Sequence, residues 1–546
     1  MTRSLTALAL VLSMAACAQT PPPIASAPAA PVAAAEATTP DQQALRAHIA
    51  MLSSDEMQGR EAGTAAYDRA AQYVADQMRS LGVQPAGDAG AYLQRVPLVS
   101  YRSTDKGTMR AGQTPLVFGA DYLPSANPTR AEMTIDAPVV FVGYGVTAPG
   151  ENRDDYAGVE VRGKIVAVMA GAPASMGSEV RAHYGNGSTK ALEAEKHGAV
   201  GIVTLETPTS AKTRPFAAGA ANWDHARMTW ARADGTPNVT APSVTGIGSM
   251  SMAGAEKLFG GSGTTYAAAV AAAEAGAAKP IALSQRLSAT GKTEIKQVAS
   301  SNVAGMIPGS DPALSKQIVV ISAHLDHVGI GKAVDGDTIY NGAMDNSVGV
   351  ASMLEVARRF RDSGEKPRRS IMLLAVTAEE KGLIGADYFA QNPTVPKESL
   401  VADVNLDMPI ITYPFEDVVA FGADRSNLGG FVRAAAEKMG VAYSPDPMPE
   451  QGFFTRSDHY RFVQQGIPAV FLWPGVKGPG KAAFDDFLKN HYHKPSDEIG
   501  LINWQSGVRF VEANYGIARE IANADARPAW NKGDFFGVLY NGYGAK

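Results

Sequence analysis

The chain has 546 residues, of which 45% are hydrophobic and 19% charged, so it can bury a large core and is too long for one ordinary domain. Its formal net charge is −5 and it has no basic stripe of the kind that binds nucleic acid, which excludes a nucleic-acid partner. The chain has one cysteine, which excludes a disulfide within it.

The first 17 residues have the pattern of a secretory signal peptide. Arg3 gives a positive start and residues 5–12 form an apolar core that is too short to span a membrane. Cys17 directly follows two alanines, which resembles a bacterial lipobox, and Ala18 after it favours the outer membrane. We therefore expect a periplasmic protein whose membrane contact is a lipid on Cys17. Ordinary signal cleavage nearby is the alternative.

The next two segments are a linker and an N-terminal helical region. Residues 18–40 are rich in Pro and Ala and have no periodic apolar face, which predicts a disordered tether. Residues 41–129 form the N-terminal part of the folded protein. Apolar side chains recur at helical spacing within residues 41–82, and Gly82 is predicted to end the second helix there.

Residues 130–278 have a different sequence pattern, which predicts short strands that alternate with helices. The stretches "APVVFVGYGV" and "GKIVAVMAG" predict strands, and "STKALEAEKHGAVGIVTLE" predicts a helix, a glycine and a strand. We interpret this region as an inserted module that is either α/β or mostly β. The alanine-rich "AAAVAAAEAGAAKP" closes it as a helix or a linker.

Residues 279–546 alternate apolar strands with amphipathic helices. Strands are predicted at "QIVVISA", "RSIMLLAVT", "LVADVNL", "DVVAFG" and "PAVFLWP". This alternation is typical of an α/β fold with a doubly wound sheet and helices on both faces. In such sheets the binding site lies outside the carboxyl ends of the strands, so side chains at those ends are the candidate functional residues.

Metal-type side chains follow several of these strand ends. Two histidines and several carboxylates suit two zinc ions that share one bridging carboxylate. Asp345 is the natural bridge because its short side chain lies in a tight turn, "GAMDN". The other candidates are His324, Asp326, Glu379, Glu380, Asp407 and His493.

Two of these positions predict roles beyond metal binding. Adjacent residues at a strand end point in different directions, so one member of the Glu379–Glu380 pair can bind metal while the other takes a proton from the attacking water. Asp326 follows His324 by two residues and can accept the imidazole N–H. Taken singly, each residue has a structural explanation, such as a helix first turn for the Glu pair. Their occurrence together favours a metal site, whereas His327 and His491 are interpreted as polar neighbours.

Six motifs resemble the conserved blocks of the zinc exopeptidases in metallopeptidase family 28, over about residues 295–525. They are "AHLDHVG", "NGAMDNSVG", "TAEEKGLIGADYF", "NLDM", "RSDHYRF" and "YHKPSD". The resemblance implies a phosphorylase/hydrolase-like α/β fold with a mixed central sheet. Residues 130–278 are similar to the mostly β protease-associated domain inserted in many of these enzymes, and the N-terminal helices resemble those that pack on the catalytic domain.

The resemblance also implies a role for each candidate residue and a cofactor of two Zn²⁺ ions. Glu379 would be the general base and Asp326 the orienting aspartate. One zinc would be held by His324, Asp345 and Asp407, and the other by Asp345, Glu380 and His493.

The expected activity is removal of N-terminal amino acids from peptides with free N-termini by a two-metal mechanism. Arg456, Ser457, Asp458 and His459 are expected on the substrate side of the cleft. Three alternatives stay open: a carboxypeptidase of the glutamate carboxypeptidase type, glutaminyl cyclisation, and a non-catalytic envelope binding protein. The carboxypeptidase needs a cation for the terminal carboxylate, for which Arg456 is the candidate unless it pairs with Asp458. No oligomeric state is predicted.

Overall fold

The computed structural model describes residues 36–546. The predicted signal peptide, Cys17 and most of the linker lie outside the described residues. Within residues 36–546, no helix combines the length and the apolar character needed to cross a bilayer.

One mixed sheet, which we call the first sheet, forms the centre of the region that contains the metal-type residues. Its four central strands are parallel, in the order Ala469–Pro474, Leu400–Asn405, Ile318–His324 and Ser370–Val376. Every residue of these strands is buried, which explains their mainly apolar sequence, because parallel sheets are covered on both faces. The predicted doubly wound α/β fold with a mixed sheet is confirmed.

Antiparallel strands extend this sheet on both sides. The long strand Ile281–Ile307 follows the central strands on one side, and Leu93–Ser103 and Arg227–Trp230 continue from it. On the other side, Asp417–Phe421 is antiparallel to its neighbour and Ala442–Tyr443 forms the edge. Ala442–Tyr443 runs parallel to Asp417–Phe421, so both are antiparallel to the four central strands, three of which are followed by or end in metal-type residues.

Two sets of helices pack on the sheet. Val348–Ser363 packs on Trp504–Asn523 and on the central strands, and Ile384–Gln391 packs on His459–Val463. The second N-terminal helix ends at Ser80 and Gly82 has a φ of 75°, as its sequence predicted. The remaining helices of this region are Pro40–Leu52, Ala65–Ser80, Leu428–Lys438, Gly480–Asn490 and Phe535–Leu539.

A second sheet lies within and around residues 130–278. Glu132–Phe141, Ile165–Met169, Gly201–Leu205 and Thr245–Met250 are parallel in that order and have their own hydrophobic core. The remaining short strands of the two sheets are Gln84–Pro85 on the first sheet and Thr108–Ala111, Thr114–Pro115 and Tyr122–Pro124 on the second. Two further antiparallel pairs lie outside both sheets: Thr147–Ala148 with Arg153–Asp154, and Gly329–Val334 with Asp337–Tyr340.

Residues 130–278 contain six α-helices beside seven strands, so the region is α/β and the expectation that it would be mostly β is wrong. Its helices are Ser178–Gly185, Gly187–Lys196, Pro208–Thr213, Phe216–Ala221, Met252–Phe259 and Tyr266–Glu274. Ile281–Ile307 joins the two sheets: residues 281–292 pair with the second sheet and residues 293–307 with the first.

Candidate metal centre

Three neighbouring parallel strands bring metal-type side chains to one edge of the sheet. His324 is the last residue of Ile318–His324. Glu379 and Glu380 follow Ser370–Val376, and Asp407 follows Leu400–Asn405. Because carboxyl ends of adjacent parallel strands meet at the same edge, residues distant in sequence converge there.

Asp345 lies between the two histidines of this group. Its Oδ1 is 3.2 Å from His324 Nε2, and its Oδ2 is 3.2 Å from His493 Nε2. The carboxylate of Asp497 accepts the backbone N–H groups of Met344 (2.9 Å) and Asp345 (3.0 Å), which fixes the turn before helix Val348–Ser363. Asp345 can therefore face two cations, one through each oxygen.

Each histidine also contacts a second carboxylate. His324 Nε2 is 3.0 Å from Asp407 Oδ1, and His493 Nε2 is 3.0 Å from Glu380 Oε2. The structure thus brings together all five predicted ligands, as two sets that share Asp345. A zinc ion takes nitrogen and carboxylate oxygen donors of this kind.

His327 is a member of the cluster, although from its sequence context we interpret it only as a polar neighbour of the metal site. Its ring is fully buried, and its Nδ1 is 2.8 Å from Glu380 Oε1 and 3.9 Å from Asp345 Oδ2. The signal was its position three residues after His324 in the same strand-end loop. His491 lies outside the cluster and its Nδ1 is 3.0 Å from the Ser496 carbonyl oxygen.

The charges of the cluster strongly favour bound positive charge. Burial alone lowers the pKa of His324, but the Asp407 and neighbouring carboxylates outweigh it and raise that pKa well above its ordinary value. Burial likewise lowers the pKa of His493, but Glu380 and Asp345 raise it well above the ordinary value. Burial raises the pKa of Asp345, yet hydrogen bonds from both histidines hold it well below its usual range. Protons on the imidazoles therefore balance the carboxylates, and divalent cations can take their place.

The Asp326 carboxylate contacts the neighbouring loop and does not contact the His324 ring. Its carboxylate accepts the backbone N–H groups of Glu379 (3.0 Å) and Glu380 (3.3 Å). His324 Nδ1 instead faces the backbone carbonyl oxygen of Asp326 at 3.1 Å. The predicted contact between the Asp326 carboxylate and the imidazole is therefore wrong, because the loop turns its carbonyl toward the ring. Asp326 orients the glutamate pair.

Burial raises the pKa of Glu379 well above its ordinary value, and the nearby charges of Glu380 and Asp407 add to the effect. Its backbone N–H is fixed by Asp326, and its partner Glu380 is occupied by two histidines. Glu379 is consequently the carboxylate of the pair that is able to hold a proton. A carboxylate that can take up and release a proton beside the reacting groups can act as a general base and acid.

Asp407 is held by a chain of buried polar groups that the sequence did not indicate. Ser457 Oγ donates to Asp407 Oδ2 (2.6 Å), and Asn405 Nδ2 donates to Ser457 Oγ (2.5 Å). Trp473 Nε1 donates to the Asp407 carbonyl oxygen (2.8 Å). Asn346 Oδ1 accepts the Met408 N–H (3.2 Å), which ties the Asp345 turn to the Asp407 loop.

Ser457, Asp458 and His459 do not lie on the cleft wall, contrary to the expectation of a substrate-side location. All three are at most 1% exposed. Burial raises the pKa of Asp458 to about 8 and lowers that of His459 to about 3, so both are uncharged at neutral pH. The family resemblance implies a substrate-side loop for this triplet, whereas here it is buried, with Ser457 in contact with Asp407.

Arg456 does lie on the cleft wall. Its Nη2 is 3.4 Å from Tyr492 Oη, and its guanidinium lies 5.2 Å from the centre of the Phe453 ring. The Tyr492 ring stacks on His493 at 3.9 Å. Neither oxygen of Asp458 has a hydrogen-bond partner, so the expected Arg456–Asp458 pair is absent in the described part of the chain.

The metal-type cluster opens into a large cleft of about 2370 Å³. Glu380 and His493 reach it from the first sheet, and Arg456 and Lys381 lie beside them. Residues of the region 130–278 form much of the rest of its lining. The cleft is large enough to hold a peptide.

Comparison with known proteins agrees with this geometry. The sequence model of Peptidase family M28 matches residues 302–517, which include all the metal-type residues. The aminopeptidase from Aneurinibacillus sp. strain AM-1 has a similar fold, with a TM-score of 0.51 and 20% identity, covering 89% of this chain and 95% of that one.

Two curated relatives share part of the sequence. Leupeptin-inactivating enzyme 1 of Streptomyces exfoliatus is 28% identical over 237 residues, 40% of this chain and 49% of that protein. A protein named "Probable zinc metalloprotease" from Pyrenophora tritici-repentis is 43% identical over 195 residues, 35% of this chain and 42% of that protein. The chain thus spans less than half the length of each of these relatives.

Proposed function

We propose that the chain, whose residues 302–517 match the sequence model of Peptidase family M28, is a zinc-dependent exopeptidase that uses two metal ions to remove N-terminal amino acids from peptides. The observation that carries the proposal is the position of Asp345, with one oxygen 3.2 Å from each of two histidines. Each histidine has its own further carboxylate, so the donors form two sets around a shared one.

The residues fit zinc in number, type and charge. His324, Asp345 and Asp407 would hold one ion, and Asp345, Glu380 and His493 the other, with His327 beside the second set. When bound, zinc polarises the scissile carbonyl and acidifies water. The chain itself supplies fixed ligands: Asp497 holds the Asp345 turn, and Ser457 and Trp473 hold Asp407.

Glu379 is the proposed general base. It takes a proton from the attacking water and delivers it to the departing amine. Its raised pKa suits this exchange, because a carboxylate whose pKa lies above the ordinary value is a stronger base and can hold the proton until the amine departs. Asp326 fixes the backbone of Glu379 and so positions its carboxylate at the reacting bond.

Two glutamine variants test this division of roles. Glu379→Gln should keep its zinc and lose turnover by about 10²–10⁴-fold, the usual effect of losing an acid–base group. Glu380→Gln is the matched control, because it should lose zinc from one of the two sets. Zinc content by atomic absorption and turnover separate the two outcomes. Near-normal turnover in Glu379→Gln would remove this residue from the mechanism.

The proposed specificity for free N-termini is tested with a substrate panel. Aminoacyl anilides, N-acetylated peptides and glutaminyl peptides are incubated with the zinc-loaded protein. Release from free N-termini alone supports an aminopeptidase, because the carboxylates of the centre favour a substrate ammonium. Cyclisation of the glutaminyl peptide would instead indicate the cyclase. Bound zinc without any hydrolysis would indicate a binding protein.

A carboxypeptidase is the second candidate, and Arg456 is the specific observation that favours it. This arginine is partly exposed on the cleft wall, and its contact Tyr492 stacks on His493. It has no carboxylate partner in residues 36–546, so it can receive the carboxylate of a substrate. N-acetylated peptides with a free and an amidated C-terminus distinguish the two activities. Cleavage of the free acid that Arg456→Ala abolishes would establish the carboxypeptidase.

We also propose that the protein is exported and tethered in the periplasm through a lipid on Cys17. Metabolic labelling with a radioactive fatty acid tests this, with Cys17→Ser as the control. Label in both proteins, or in neither, would rule out lipidation at this residue.

A further inference from the structure

Arg60 lies in the N-terminal segment, outside the residues that match the peptidase family. The chain turns sharply there, because Gln58, Gly59 and Arg60 all have positive φ angles of 47°, 65° and 50°. Non-glycine residues adopt this conformation only where the surroundings hold them in it. The turn directs the Arg60 side chain into the interior, where it is 0% exposed.

The Arg60 guanidinium connects the two loops that carry the predicted ligands. Its Nε donates to the carbonyl oxygen of Leu325 (2.9 Å), the residue between His324 and Asp326. Its Nη1 and Nη2 donate to the carbonyl oxygens of Asn341 (2.7 Å) and Gly342 (3.0 Å), shortly before Asp345. One planar group thus sets the spacing between the His324 loop and the Asp345 turn.

The same segment makes further contacts with these loops. The carbonyl oxygen of Arg60 accepts the His327 N–H (3.3 Å). Asn341 Nδ2 donates to the Ser53 carbonyl oxygen (2.8 Å) and to Asp55 Oδ1 (2.9 Å). Residues 52–60 therefore form a support for both loops, with Arg60 at its centre.

The guanidinium also places a positive charge beside the acidic cluster. Burial lowers the pKa of Arg60 to about 10, while the carboxylates of Asp497, Asp326 and Asp345 oppose this effect. Arg60 is consequently charged at neutral pH. A buried charge is costly unless it is hydrogen-bonded and balanced, and Arg60 satisfies both conditions only with the loops in this arrangement.

We propose that Arg60 is a positioning residue of the zinc centre, which holds the His324 loop and the Asp345 turn at the separation that zinc binding requires. The inference rests on the proposed zinc-dependent function. It extends that function to a segment that contributes no ligand, so that the N-terminal residues become part of the metal site.

The test compares two buried arginines. Arg369 is also 0% exposed and donates to the carbonyl oxygens of Ile521 (3.0 Å) and Ala526 (3.1 Å), but it precedes Ser370–Val376, at the end of that strand remote from Glu379. Arg60→Lys and Arg369→Lys both keep the charge and lose the fork of donors. The zinc affinity of each full-length protein is measured by competition with a chromophoric chelator, and its melting temperature is measured without metal.

Both variants should melt earlier, but only Arg60→Lys should bind zinc more weakly, by about 10–100-fold, as for other groups that orient metal ligands. Unchanged zinc affinity in folded Arg60→Lys, or an equal loss in Arg369→Lys, would overturn the inference. If Arg60→Lys does not fold, Asn341→Ala decides: weaker zinc binding supports the inference and unchanged binding overturns it. The proposed function fails separately, if the unmodified protein binds no zinc.

Discussion

The replacement His183→Gln tests how residues 130–278 are held against the region that contains the first sheet. His183 lies on helix Ser178–Gly185 and is 6% exposed, with its Nδ1 2.7 Å from Tyr460 Oη. The rings of Phe535 and Phe536 pack around it. Burial lowers the pKa of His183 from 6.5 to about 4, so the imidazole is neutral in the folded protein at neutral pH.

The sign of the pH effect follows from this lowered pKa. Below pH 6.5 the unfolded chain binds a proton at His183 and the folded protein does not, so acid favours unfolding. The loss develops as the pH falls toward about 4 and totals about 3 kcal/mol, since one pH unit corresponds to about 1.36 kcal/mol. By pH 5 it reaches about 2 kcal/mol. The glutamine in His183→Gln cannot be protonated in this pH range, so its free energy of unfolding does not fall for this reason.

The assay is urea unfolding at pH 7 and pH 5, followed by tryptophan fluorescence in the presence of a chelator. The unmodified protein should be more stable than His183→Gln at pH 7, and the difference in free energy of unfolding should shrink by about 2 kcal/mol at pH 5. His197→Gln is the control, because it removes a partly exposed imidazole from the neighbouring helix end. A difference between the unmodified protein and His183→Gln that does not change with pH would refute the reasoning.

Three further predictions concern stabilisation by zinc, the turn at Gly59 and the hydrogen bond that Ser457 donates to Asp407. Zinc at about 100 times its dissociation constant should stabilise the metal-free protein by about 2.7 kcal/mol per site, and an unchanged melting curve would contradict a zinc site. Gly59→Ala should destabilise far more than Gly82→Ala, which costs about 1–2 kcal/mol, as judged by denaturant midpoints. Both glycines have positive φ, but a Cβ at Gly59 would lie 2.4 Å from the Tyr340 carbonyl oxygen, whereas Gly82 has open space. Ser457→Ala should weaken zinc binding about tenfold by releasing Asp407, and unchanged chelator competition would contradict this.

The central sheet could be predicted because its sequence signal is local. Ile318–His324, Ser370–Val376 and Leu400–Asn405 are predominantly apolar runs, and each is followed by a helix or turn pattern. The convergence of His324, Glu380 and Asp407 then follows from the parallel arrangement.

The second sheet was harder to predict because its longest strand belongs to two sheets. Ile281–Ile307 has 27 residues, and its burial pattern changes where it leaves the second sheet for the first. Alternation of apolar and polar residues indicates a strand with one constant buried face, and this strand has none. The helices of residues 130–278 were also underestimated, since several are short and rich in alanine, which gives little periodic signal.

The supporting residues of the site could not be predicted because their partners are distant in sequence. Arg60 contacts carbonyl oxygens about 265–282 positions away, and backbone acceptors leave no trace in the sequence. The turn that aims Arg60 depends on positive φ at Gln58, a residue that rarely adopts it. Sequence patterns therefore predict ligands, which are chemically distinctive, better than the groups that hold them.

Ser457, Asp458 and His459 show why polarity misleads at this site. The family resemblance implies a substrate-side location for this triplet, and its polarity agrees with exposure, because burying polar groups without partners is costly. Ser457 is buried because it supports Asp407, and its neighbours are buried with it by chain connectivity. Asp458 avoids the cost of a buried charge by staying protonated at neutral pH. The triplet therefore departs from the polarity rule at a place where residues serve the chemistry of a site before the stability of the fold.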